Sequence, residues 1–207
     1  MFITPFVWYG ESLYLKLLNI DLNNELSIGN LILGYLGIAC IEELSKFAGA
    51  YLLLKKNKYF NEIINAMIYL IVLALGFGLV ENILAGSQEI TEGNLLLSVL
   101  HTITLRFIGA NLLHLLASGF IGYFWALSLI KDKKSYFYQG LTIGIVIHSI
   151  FNIIIIKFGE LMVFYTTAAL IVLLILFIFL LRRTSNFLKN SFESTNIVKQ
   201  DSKNLLP

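Results

Sequence analysis

The sequence predicts an all-α membrane protein, a polytopic helix bundle, and three observations carry that prediction. Hydrophobic residues make up 57% of the 207-residue chain and charged residues only 14%, against roughly 25% charged in soluble domains. Mean hydropathy is +0.80. Five apolar segments, at residues 28–54, 60–86, 107–130, 136–157 and 161–181, each reach the roughly 20 residues that a bilayer crossing needs. Backbone groups in hydrocarbon must be satisfied within their own segment, so each is read as a helix rather than a strand.

Residues 1–20 contain Pro5, Glu11 and Lys16 and are read as either a sixth, N-terminal crossing or an amphipathic surface helix. They lack the basic start, clean apolar core and small-residue cleavage site of a removable signal peptide. The stretch 95–107 is apolar but carries His101 and Arg106. Joined to 107–130 it exceeds one crossing, so it is expected to form a half-helix, with both side chains at the interface. Residues 184–207 are polar and rich in Ser, Asn and Lys. They are expected to be a disordered tail, leaving residues 1–183 as one membrane-embedded domain.

Basic clusters set the orientation. Lys55, Lys56 and Lys58 follow the first segment, Lys131, Lys133 and Lys134 the third, and Arg182 and Arg183 the fifth. With alternating crossings these three places, and hence the C-terminus, are cytoplasmic. The net charge of +2 is confined to such clusters and does not indicate nucleic acid. The single cysteine, Cys40, excludes an internal disulfide and a multi-cysteine zinc site. No internal repeat is evident, which weighs against an inverted-repeat transporter.

The charged residues inside the apolar segments are informative, because each costs about 2.5–3.5 kcal/mol at a helix centre. Glu42, Glu43 and Lys46 lie in the first segment, Glu81 and Asn82 in the second, His114 in the third, and His148 with Asn152 in the fourth. Glu42 and Lys46 are four apart and share a helix face. A neutralised structural pair accounts for those two alone, not for Glu43, Glu81 and two histidines. Counted from the outer segment ends, Glu81, His114 and His148 lie about 8–14 Å deep and the two glutamates about 20 Å. One polar pocket is therefore expected.

Such groups suit water activation. A desolvated glutamate serves as general base, a second acid or histidine protonates the leaving amine, and His or Asn donors stabilise an oxyanion. The same Glu and His side chains are also zinc-ligand types. The helical His-Glu-x-x-His signature is absent, so no metal cofactor is favoured, with a divalent ion such as zinc left open. Ser45 and Ser118 lack a Gly-x-Ser-x-Gly elbow, and a buried serine commonly bonds its own helix backbone.

Glu42-Glu43-Leu44-Ser45-Lys46 resembles the Glu-Glu-x-x-Lys motif of the PrsW family of intramembrane proteases. Phe77-Gly78-Leu79-Val80-Glu81, extended by Asn82, is similar to that family's Phe-x-x-x-Glu motif. His114, with Gly119 and Gly122 after it, and His148 through Asn152 match its later single-histidine helices. The related prenyl-protein (CAAX) proteases and bacteriocin-processing proteins carry Glu-Glu-x-x-x-Arg and Phe-x-x-x-His. Lys46 stands one residue earlier than that Arg, and Glu81 replaces that His.

The resemblance implies an intramembrane endopeptidase of the prokaryotic cell membrane, cleaving membrane-anchored substrates such as anti-sigma factors. The motif leaves open a metal or glutamate-activated water, and glutamate with water is the reading favoured here. It implies Glu42 or Glu43 as base, and Glu81 and His114 sharing water activation and proton transfer. His148 and Asn152 would line the oxyanion side, while Lys46 would hold the glutamates' ionisation states, with Asn82 in support. Two other classes fit buried Glu, Lys and His: a proton-coupled transporter, and a non-catalytic scaffold or immunity protein. The sequence does not fix the oligomeric state.

Overall fold

The computed structural model describes residues 4–22, 24–55, 63–93, 95–159 and 164–182, and these are helical apart from short connections. The helices are α1 (Thr4–Leu17), α2 (Ile28–Lys55), α3 (Ile63–Thr91), α4 (Leu96–Ile130) and α5 (Ser135–Phe158), followed by α6 (Phe164–Arg182). One compact unit extends to Leu170 and a second begins at Ile171, within α6. The expected polar tail, 184–207, lies outside the described residues.

Among the described residues, four helices are long and apolar enough to cross a membrane: α4, α5, α6 and the span Asn65–Thr91 of α3. The fifth expected crossing, α2, has 28 residues and carries the Glu42, Glu43 and Lys46 charges in its interior. Its register supplies what composition alone does not. Glu43 meets Ser118 of α4 and, further along both helices, Phe47 and Tyr51 pack on Trp125, so α2 and α4 run side by side in the same direction. Gly122 of α4 opposes Met67, whereas Gly86 opposes Ile103, so α3 runs the opposite way. The connection between α3 and α4 is short, closing with Gly93 at φ 79°.

The N-terminal segment is a helix of only 14 residues, about 21 Å long and too short to cross. It folds back along α2: Gly10 faces Ile41, the Tyr14 ring fills the notch at Gly37, and Leu15 approaches Gly34. The Tyr14 hydroxyl donates to the Leu33 carbonyl at 2.9 Å. The expected half-helix over 95–107 is corrected by the structure: that stretch is the beginning of one continuous helix of 35 residues. At about 52 Å it exceeds the ~30 Å hydrocarbon core. It continues unbroken because neither His101 nor Arg106 interrupts backbone hydrogen bonding, and no proline or glycine precedes Gly109.

Burial follows the inverted pattern of a membrane bundle. On α3, Ile68, Val72, Leu75, Leu79 and Ile83 recur at helical spacing and are exposed, while Ala66, Leu70, Ala74, Phe77 and Asn82 are buried. The apolar stripe faces outward and the small and polar residues face the neighbours. Gly122 has a packing reason: a Cβ there would stand 2.7 Å from the Met67 Cα. Beneath the charged residues of α2 lies a core of Ala50, Leu54, Leu70, Ile121 and Trp125. There the Phe47 ring packs against Trp125 and Phe137 at centroid distances of 5.0 and 4.6 Å.

Candidate active site

Four helices bring their polar side chains to one point. Glu42, Glu43 and, one turn on, Lys46 lie on the buried face of α2, Glu81 and Asn82 on α3, His114 on α4 and His148 on α5. Lys46, Glu43, His114 and His148 are each at most 2% exposed, and Glu42 is 4% exposed. Charged groups this deep require partners, and they find them in one another.

The Lys46 ammonium is the hub. Nζ lies 2.8 Å from Glu43 Oε1, 2.8 Å from His114 Nδ1 and 3.4 Å from Glu42 Oε2. Its three protons therefore have three acceptors. It also stands 4.7 Å from the Phe77 ring centroid. An ammonium only donates, so His114 Nδ1 accepts. Its Nε2–H is then left to donate to Glu81 Oε2 at 2.8 Å. One neutral tautomer of His114 is thereby selected.

Glu43 is the other fixed point. Its Oε1 accepts from His148 Nδ1 at 2.8 Å as well as from Lys46, and its Oε2 accepts from the Ser118 hydroxyl at 3.1 Å. Because His148 Nδ1–H is committed to Glu43, Nε2 is turned towards Glu42 Oε2, 3.6 Å away. The two imidazoles meet edge to face, with centroids 5.1 Å apart. Donor atoms of Glu42, Glu43, His114 and His148 all lie within 4.8 Å of one another.

A cavity of about 220 Å³ opens onto this cluster. Glu42, Glu81, His114 and His148 line it, together with Tyr35, Arg106, Asn152 and apolar residues of α4 and α5. Glu43, Lys46 and Ser118 are not on its wall; they lie behind it. The two adjacent glutamates thus have different surroundings, one facing a space that a reactant can enter and one wholly enclosed by protein donors.

The structure gathers Glu42, Glu43, Lys46, Glu81, His114 and His148 as the sequence reading grouped them. Asn152 lines the cavity, while Asn82 turns to Asn111 and donates to its Oδ1 at 3.2 Å. Ser118 departs from expectation: it bonds Glu43 rather than its own helix backbone. Its spacing of four from His114 was a usable signal. Asn111, three before His114, lies on the same face and was also missed. Arg106, expected at the interface, lines the cavity. His101 is exposed and lines a separate groove. Gly78 stands close to α4: a Cβ there would meet Asn111 Oδ1 at 2.6 Å and His114 Cδ2 at 2.9 Å, whereas one at Gly76 would meet open space.

A search of curated proteins finds no match, and neither does a search of solved structures. The model of one protein family does match, over residues 1–181, and it spans every helix that contributes to the cluster. The chain is an integral membrane protein that belongs to the PrsW family of intramembrane metalloproteases.

Proposed function

We propose that the chain hydrolyses membrane-anchored protein substrates, of the anti-sigma-factor kind, at the floor of this cavity, with Glu42 activating the attacking water. The observation that carries the reading is the contrast between neighbouring glutamates. Glu42 lines the cavity, whereas both Glu43 oxygens already accept from Lys46, His148 or Ser118. A carboxylate enclosed by donors positions other groups; one beside open space takes a proton.

Water between Glu42 and His148 Nε2 gives a proton to the Glu42 carboxylate while its oxygen bonds to the scissile carbonyl carbon. The tetrahedral oxyanion is met by the Asn152 amide. The C–N bond then breaks, and the proton held by Glu42 passes to the departing nitrogen. Glu81, fixed by His114 Nε2–H, is the second carboxylate on the cavity wall and orients the amine as it leaves. Lys46 balances the Glu42–Glu43 charge inside the bilayer, where unpaired ions are costly.

The donor chemistry also fits a zinc-type ion, since two imidazoles and two carboxylates converge within 4.8 Å and these are zinc-ligand types. Glu42, His114 and His148 would hold it, with His114 Nδ1 released from Lys46. A bound divalent ion supplies Lewis-acid polarisation and a more acidic water. Water activation without a metal is supported by Lys46, a cation already bonded to three of the four donor residues, Glu42, Glu43 and His114.

The two readings separate in one assay: cleavage of a panel of single-span membrane proteins by purified protein in lipid, with and without chelator. Cleavage retained in chelator is expected for the glutamate mechanism. Loss restored by zinc makes the same residues metal ligands.

A further inference from the structure

The cluster already holds a cation of its own, bonded to the residues that a metal ion would use. Four residues offer donor atoms within 4.8 Å of one another: Glu42, Glu43, His114 and His148. Lys46 Nζ bonds to three of them, at 3.4 Å from Glu42 Oε2, 2.8 Å from Glu43 Oε1 and 2.8 Å from His114 Nδ1. The fourth, His148, gives its Nδ1–H to Glu43. A catalytic zinc takes three protein ligands, and any three drawn from these four include at least two that Lys46 already holds.

His114 cannot serve both cations. Each ring nitrogen offers either a proton or one lone pair, and the lone pair of Nδ1 meets the ammonium. Nε2 carries the proton that Glu81 accepts at 2.8 Å. Nor has the ammonium an outlet. Lys46 is 0% exposed and stands 4.7 Å from the Phe77 ring centroid. Driven from its acceptors, it would be an unpaired ion within the bilayer, where such ions are costly.

The charge balance points the same way. Metal-binding imidazoles must be neutral, which leaves the carboxylates of Glu42, Glu43 and Glu81 facing two cations. These are Lys46 behind the cavity and Arg106 on its wall, where it interacts with Glu81. Glu11 lies in a separate groove along α1 and stays largely protonated at pH 7, because burial and the charge of Glu42 push its pKa up to about 8. Three carboxylates against two cations leave one negative charge. A divalent ion added to the intact cluster reverses that to one positive charge inside hydrocarbon. In place of Lys46, the same ion brings the balance to zero.

We propose that Lys46 is the resident cation of this cluster and excludes a divalent ion from it, so that the same donors become a zinc-type site only when the ammonium is removed. This deepens the water-only reading of the site and rests on that reading only for its catalytic consequence.

The test reads metal uptake rather than turnover. Full-length protein is stripped with chelator, held in zwitterionic lipid nanodiscs at pH 7 and titrated with Co²⁺, whose visible absorption reports ligation by His and carboxylate. Uptake at the cluster is the part that His114→Ala abolishes. Its affinity is expected to be about 10–100-fold higher in Lys46→Met than in the wild type, the scale on which groups beyond the ligands alter metal affinity. Zinc should raise the unfolding temperature of Lys46→Met and leave that of the wild type unchanged. Lys46→Arg, which keeps the charge, should stay closed to the ion. Equal affinity in folded Lys46→Met and wild type, or no uptake by either, overturns the exclusion. If Lys46→Met does not fold, the wild type decides: His114-dependent uptake of one ion overturns the proposal, and its absence upholds it. Such uptake by a wild type that cleaves only with zinc rejects the exclusion and leaves the protease reading standing. No uptake by the wild type, with no cleavage of any panel substrate, does the reverse.

Discussion

Lys46 and His114, on different helices and 68 positions apart, meet through a 2.8 Å contact between Nζ and Nδ1. The contact fixes the imidazole tautomer and, through Nε2–H, the Glu81 carboxylate on the cavity wall. One buried cation thus organises groups from α2, α3 and α4 at once. It also links to α5, because Glu43 holds both Lys46 and His148.

Removing Lys46 should therefore damage both fold and turnover. Lys46→Met leaves Glu42 and Glu43 buried without their cation, a loss of about 3–5 kcal/mol. Thermal unfolding in detergent should fall clearly below the wild type, with little protein reaching the membrane. A Lys46→Met protein as stable as the wild type contradicts the hub assignment.

Ser118 acts through Glu43 and touches no reactant. Ser118→Ala removes the only donor to Glu43 Oε2 among the hydrogen bonds described and should cost about 1–3 kcal/mol. Turnover should drop by about tenfold while substrate affinity stays near that of the wild type. The check is a kcat and KM comparison in lipid; an unchanged kcat would falsify the positioning role.

Gly78 sets the distance between α3 and the His114 ring. In Gly78→Ala the new Cβ meets Asn111 Oδ1 and His114 Cδ2, and overpacking of this kind costs about 1–3 kcal/mol. Misplacing a catalytic group by about 1 Å costs up to 10²-fold, so turnover should fall well beyond the stability change. Gly76→Ala, with open space at that position, should be near neutral in the same assay.

His101 gives the opposite expectation. It is exposed and away from the cavity lining, so His101→Ala should leave turnover within about twofold of the wild type. A hundredfold loss would move the site towards the α4 N-terminus and contradict the cavity assignment.

Much of this was legible in the sequence because charge inside a membrane helix is costly enough to be noticed residue by residue. Glu42, Glu43, Lys46, Glu81, His114 and His148 stand out against apolar surroundings for that reason alone. Ser118 and Asn111 do not, since a small polar side chain in a helix satisfies itself locally at little cost. Depth counting placed Glu42 and Glu43 several ångströms below the histidines, although hydrogen bonds now join them. The count took α4 to begin near residue 107, whereas it begins at Leu96, and α2 also overhangs the cluster by several turns. The continuous α4 was hidden by its own length, which exceeds one crossing. Which of the adjacent glutamates meets the cavity could not be read from spacing, because residues one apart differ in facing only through the packing of the other helices.

The most direct test of the central claim compares the wild type with Glu42→Gln, in lipid, on a single-span membrane protein that the wild type cleaves. Glutamine keeps the size and a hydrogen bond to Lys46 but cannot take a proton. The account predicts a turnover loss of at least about 10²-fold, the usual contribution of a general base, with thermal unfolding close to that of the wild type. Turnover within a few-fold of the wild type would contradict it, because the water would then be activated by a group other than Glu42.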